Sequence, residues 1–224
     1  MKKEMMPEAE NAKEKFELEL DIKFGIDFEE NRVGGVLHEM DWYDSHGYRP
    51  KLPKGIDRTS SEQDIQKAVE AEYSEDDFQE VEALLNDLNE TLSEVSAKLE
   101  RIFGDKSPAK LEINLTKYGM GGSYHPPDGM TLNADVKKEH LRKTVVHELT
   151  HLFAQPYIEK YDIAHWDKER IIDLILNSDE FTFVKYNSWQ PDYRGAEKHI
   201  DPLFKKHFFQ NPDDFFAKMK NAAK

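Results

Sequence analysis

The sequence predicts an α+β fold in which a small mixed or antiparallel sheet is accompanied by a larger number of helices. Two segments, 16–24 and 110–118, alternate apolar and charged residues with a period of two, which marks half-buried strands. From Phe78 to Ile102 the apolar residues instead recur in steps of three and four, the period of a helix face. Two further helical segments, 136–154 and 165–176, follow in the second half. The chain has 224 residues and no cysteine. It is therefore long enough to bury a core without disulfides, and any metal must rest on His, Asp and Glu.

Taken in order, residues 1–15 are charged and aperiodic and predict a frayed start. The first strand is carried by Phe16, Leu18, Leu20, Ile22 and Phe24, and Gly25 closes it. Gly34-Gly35, Gly47, Pro50 and Pro53 break up the stretch from Asp27 to Arg58, which reads as loop with one short strand near Val33–Leu37. Ser60 with Gln63, and Ser74 with Asp77, look like capped helix starts. The second of these helices is expected to run unbroken to Gly104. Residues 61–100 hold thirteen acids against Lys67 and Lys98, so the outer face of these helices is strongly negative.

A second strand spans Lys110–Tyr118. A Gly- and Pro-rich loop (Gly119–Gly129) leads to a short strand at Met130–Leu132. The following helix is expected to stop before Pro156. Residues 178–195 read as loop. Asn211, Pro212 and Asp213-Asp214 mark the start of a last helix. Trp42, Trp166, Trp189 and the Phe-rich C-terminus read as core. The N-terminal strand and loop region, 1–60, is expected to form one compact unit with 61–224.

The chain carries a net charge of −14. That argues against nucleic acid and anionic membranes as partners, since both select cationic surfaces. No apolar run approaches the roughly 18 residues of a membrane span, and the first 19 residues lack the apolar stretch of a secretory signal. These features predict a soluble, cytoplasmic monomer.

The chemistry is concentrated in His147-Glu148-Leu149-Thr150-His151. Residues four apart share a helix face, so both imidazoles can reach one ion, with Glu148 beside a water on that ion. Glu169 and Asp173 are likewise four apart on the next helix. Glu169 can complete a His2Glu site, and Asp173 can accept the second ring N–H of His147.

HELTH followed by ExxxD, with its glutamate 18 residues beyond the second histidine (169 against 151), resembles the gluzincins, the zinc metallopeptidases that include thermolysin and neprilysin. The short connection is similar to the reduced forms called minigluzincins. The resemblance spans roughly residues 75–177. It implies a zincin-like catalytic domain over 61–224, with a backing helix, an active-site helix, a glutamate helix and closing C-terminal helices. It also implies one Zn2+ on His147, His151 and Glu169, with Glu148 as general base and acid and Asp173 supporting His147.

In such enzymes a peptide or protein substrate lies along an edge strand. The counterpart here is Met130, Thr131, Leu132, Asn133 and Ala134, with Tyr124, His125, Pro126 and Pro127 as a rim. Tyr157, His165, Tyr186, Tyr193 and His199 are candidates for steadying the carbonyl oxygen, Tyr186 and His199 foremost. Two other readings stay open. The 78–102 stripe could serve an adaptor as a coiled-coil seam beside a structural or vestigial zinc site. The protein could also be a narrowly specialised hydrolase, with the 16–24 strand lying across its cleft.

Overall fold

Alternating residues build the sheet. In the computed structural model, which describes residues 18–104 and 108–222, β1 (Glu19–Lys23) and β2 (Lys110–Thr116) pair in parallel, with Ile22 opposite Ile113. Residues 1–15, Phe16 and Glu17 lie outside the described residues. β2 continues in parallel to β4 (Gly129–Asn133), and β4 pairs antiparallel with β3 (Gly122–His125). The order is β1-β2-β4-β3, a mixed sheet.

This order corrects two expectations. β3 occupies what read as loop, and it forms the sheet edge. Met130–Asn133 lies between two strands, so its backbone is already paired on both sides and Met130, Thr131, Leu132, Asn133 and Ala134 cannot serve as the edge. At the far edge, β1 is held by β2 and does not lie across a cleft beside β3.

The stretch after β1 is helical: α1 (Ile26–His38) and α2 (Met40–His46) replace the expected loop and the Val33–Leu37 strand. Glu29, Val33 and Val36 recur at helical spacing and are buried. Gly34 and Gly35 cost such a helix about 1 kcal/mol each, which the packing of α1 against α3 (Glu62–Glu72) offsets. The cap of α3 is Ser61, in a reciprocal box with Asp64, one residue beyond the expected Ser60.

The long helix is two, α4 (Glu75–Asp87) and α5 (Asn89–Phe103), joined at Leu88, whose N–H is shared by the Leu84 and Leu85 carbonyls. Phe78, Val81, Leu85, Leu92, Val95 and Leu99 are all buried in the main core, so the stripe is used inside the chain and is not free to form a seam.

α6 (Lys138–Tyr161) carries the HELTH run beneath the sheet and continues through Pro156. A proline inside a helix forfeits one backbone hydrogen bond. Here the extra turn buries Ile158 and seats Tyr157, whose hydroxyl donates to the Phe103 carbonyl at 2.8 Å. α7 (His165–Leu176) follows, then a 3₁₀ segment at Asp179–Val184, α8 (Glu197–His207) and α9 (Pro212–Ala222). Asn211 caps α9 by accepting the Asp214 N–H, as its sequence predicts. Phe204, Phe208, Phe215 and Phe216 are buried, but Trp42, Trp189 and Phe209 are 45%, 46% and 46% exposed, against the expectation of core.

Candidate metal centre and its cavity

α6 and α7 pack side by side, and this brings the two four-residue spacings together. His147 Nε2 lies 3.0 Å from His151 Nε2 and 3.2 Å from Glu169 Oε2, and His151 Nε2 lies 3.5 Å from Glu169 Oε1. All three residues are buried. Ligand atoms bound at zinc's usual 2.0–2.1 Å in tetrahedral geometry stand about 3.3 Å apart. The triad therefore fits one small divalent cation. Its chemistry agrees, because two imidazole nitrogens and a carboxylate facing one another without a proton or cation between them would repel.

Asp173 is held from all sides and in turn orients His147. The Tyr186 hydroxyl donates to Asp173 Oδ1 at 2.7 Å and stands 2.8 Å from His147 Nδ1. A hydroxyl has one proton, so with it given to Asp173 the Tyr186 oxygen accepts from His147 Nδ1–H. That tautomer leaves Nε2 free as a ligand. Asp173 Oδ2 accepts the Gln190 N–H at 3.0 Å and the Tyr193 hydroxyl at 2.5 Å. The expected direct bond from His147 to Asp173 is longer, 3.4 Å, with Tyr186 bridging it.

The 185–196 segment that supplies these partners read from sequence only as loop. It is fixed on α7 by Arg170, whose guanidinium lies against the Trp189 and Tyr193 rings and grips Asp201 of α8 through two bonds of 2.9 and 2.6 Å.

Burial, against the pull of the adjoining His147 charge, lifts the Glu148 carboxyl to about 7. Burial lowers His151 to about 4. At His147 burial acts downward too, but Asp173 and Glu169 prevail and raise it to about 10. Glu169 is held well below the carboxylate range by the two histidines, although burial opposes this.

These groups open onto a cavity of about 790 Å³. One wall is β3. A Cβ at Gly122 would lie 2.7 Å from Glu148 Oε1 and 2.7 Å from Thr144 Cγ2, so only glycine lets the strand approach α6 this closely. Next on β3, the Tyr124 ring stacks on His151 at 4.6 Å, and its hydroxyl donates to Gln155 at 2.7 Å, in keeping with a place at the rim.

Another wall joins the N-terminal region to the start of α7. Tyr48 and His165 line it and meet through a 2.8 Å hydrogen bond between hydroxyl and Nε2. Of the oxygen-steadying candidates, only His165 and Tyr186 line the cavity, and Tyr186 is committed to His147 and Asp173. His199 is turned to Asp167 at 3.3 Å, Tyr193 is bound to Asp173 and Tyr157 to Phe103. Tyr48 was not singled out from sequence, because 117 residues separate it from His165 and no local pattern links them.

Among the described residues no helix is long and apolar enough to cross a membrane. No family model, no curated protein and no solved structure matches this chain.

Proposed function

We propose that the protein is a zinc-dependent metallopeptidase of the gluzincin type, with a zincin-like fold, acting on peptide bonds. The observation that carries this reading is the convergence of His147, His151 and Glu169 on one point at the base of a cavity that Glu148 also lines. Zinc held by those three would supply Lewis acidity toward a water and a substrate carbonyl.

The remaining work belongs to the protein. Glu148, which lines the cavity beside the three candidate ligands, is placed to take a proton from the attacking water and return it to the departing amine. Among the described residues β3 is the edge strand of the sheet, on which an extended peptide can add as a strand, and Gly122 brings that edge against Glu148. Tyr48 and His165, hydrogen-bonded to each other on the wall they share, are the groups available to donate to the carbonyl oxygen as charge develops on it.

Glu148→Gln should bind one equivalent of zinc and lose hydrolysis of a quenched fluorescent peptide, whereas His151→Ala should lose both. Wild-type rates in Glu148→Gln would end the assignment of the base. Tight zinc binding by His151→Ala would end that of the metal.

A further inference from the structure

Arg32 lines the same cavity as Glu148 and the three ligands. Its Nε is buried with no hydrogen-bond partner, and among the described residues its guanidinium forms no ion pair within 4.0 Å. The chain has 45 acidic against 31 basic residues, so an arginine left without an acid at a cavity wall is conspicuous.

The position is built. Three residues earlier on α1, Glu29 is committed to the end of β2, accepting the Lys117 N–H at 3.0 Å and the Thr116 hydroxyl at 3.0 Å. This anchors α1 and keeps the carboxylate beyond ion-pair distance of Arg32, which acts on it only through space. The guanidinium lies against Gly119, where a Cβ would fall 2.5 Å from Nη2 and 3.1 Å from Nε. Gly119 is fixed in turn by reciprocal 2.8 Å backbone bonds to Lys51. The Tyr43 hydroxyl interacts with both the guanidinium and Glu39, which shares the wall without reaching ion-pair distance of Arg32, so the guanidinium has a hydroxyl neighbour but no carboxylate partner. Of the other cavity cations, Lys168 is engaged by Tyr124 at 3.2 Å and lies 3.7 Å from Glu169, and Lys143 reaches the Asn187 carbonyl at 3.5 Å but, being a lysine, has no fork to match a carboxylate.

An unpaired guanidinium keeps a planar fork of donors whose natural complement is a carboxylate, bound through two parallel hydrogen bonds. We propose that Arg32 is the carboxylate-binding group of the cavity, so that the peptides it admits carry a carboxylate away from the bond to be cut. That carboxylate is either an acidic side chain or a free C-terminus. The inference rests on the peptidase reading for its ligand class, but its test does not depend on turnover.

Zinc-loaded Glu148→Gln protein is titrated calorimetrically with four peptides of one sequence: with an acidic residue or its amide, each with a free or an amidated C-terminus. A carboxylate-bearing peptide should bind about 10- to 100-fold tighter than the fully neutral one, the range lost with one charged hydrogen-bonded partner. The peptide that shows the gain identifies the source of the carboxylate.

Arg32→Gln in the same background should erase the preference while leaving the affinity for the neutral peptide unchanged. Arg32→Lys, which keeps the charge but not the fork, should retain a reduced preference. Equal affinity for all four peptides overturns the assignment, as does a preference that survives undiminished in either variant. If wild-type zinc-loaded protein binds these peptides with the carboxylate preference intact and cleaves none, the peptidase reading fails and the Arg32 site stands.

Discussion

His147 can serve as a ligand only if the proton sits on Nδ1, and the Tyr186 hydroxyl is the group that holds it there. Tyr186→Phe removes that acceptor and leaves Asp173 3.4 Å from Nδ1. Zinc affinity should fall about 10- to 100-fold, the usual cost of losing such support, in a chelator-competition titration. Unchanged affinity would show that Asp173 alone suffices. Gly122→Ala probes the other side of the site. The added methyl collides with Glu148 and Thr144 and touches no ligand, so kcat/KM should drop about tenfold or more with zinc affinity retained. Wild-type kcat/KM in Gly122→Ala would remove β3 from the reacting centre. At this scale the grouping of His147, His151 and Glu169 was legible, because a spacing of four on a helix fixes a shared face whatever the rest of the chain does. Tyr186, Tyr48 and Arg32 had no such marker. Their roles depend on an irregular segment folding back over α7, and on α1 and the α2–α3 connection reaching the cavity, which are contacts between distant stretches of sequence.

Elements with long unbroken periodicity were read correctly: α7 over all its length, β2 to within two residues, and both halves of the 78–102 stripe. Misreadings occurred where a local breaker met a stronger tertiary gain. Gly34-Gly35 suggested a break, yet the fully buried Val33 and Val36 hold α1 together, and Pro156 did not end α6. The strand that forms the sheet edge was missed because Gly122-Ser123-Tyr124-His125 is short and has little alternation. α1 also carries a buried acid whose titration reports on its docking. Burial lifts the Glu29 carboxyl from 4.5 to about 7, against the opposing bonds from Lys117 and Thr116. The folded protein therefore binds this proton more tightly than the unfolded chain does. The stability it contributes is complete below about pH 4.5 and is lost as pH rises through 7. Glu29→Gln cannot ionise, so the gap in unfolding free energy between variant and wild type should widen in the variant's favour by up to about 3 kcal/mol across that window. Urea denaturation at closely spaced pH values measures it, and parallel curves would mean that Glu29 stays ionised at no cost.

On the scale of the whole molecule, the centre lies where four stretches of the chain meet, three of them also sharing the main core. α6 brings His147 and His151, α7 brings Glu169 and Asp173, the 185–196 segment brings Tyr186 and Tyr193, and the Trp42–Tyr48 stretch closes over His165. Without a cation, this junction buries three carboxyl groups, Glu148, Glu169 and Asp173, at 7%, 6% and 1% exposure. A divalent ion held there would offset their charge only in the folded state, so the proposed zinc site predicts that metal binding and folding are thermodynamically linked. Free zinc at a thousand times its Kd should add about 4 kcal/mol of stability. For a chain of this size each kcal/mol moves Tm by about 2–4 °C, so the zinc-loaded protein should melt about 8–16 °C above the chelator-treated one. Glu148→Gln should show the full shift and His151→Ala none. Hydrogen exchange should localise the loss: removing zinc should speed exchange in α7 and 185–196 well before the sheet, since β1, β2 and β4 are held by their own ladders. A shift of equal size in His151→Ala, or exchange that rises evenly across sheet and helices, would mean that the metal binds elsewhere and that these four segments are joined by packing alone.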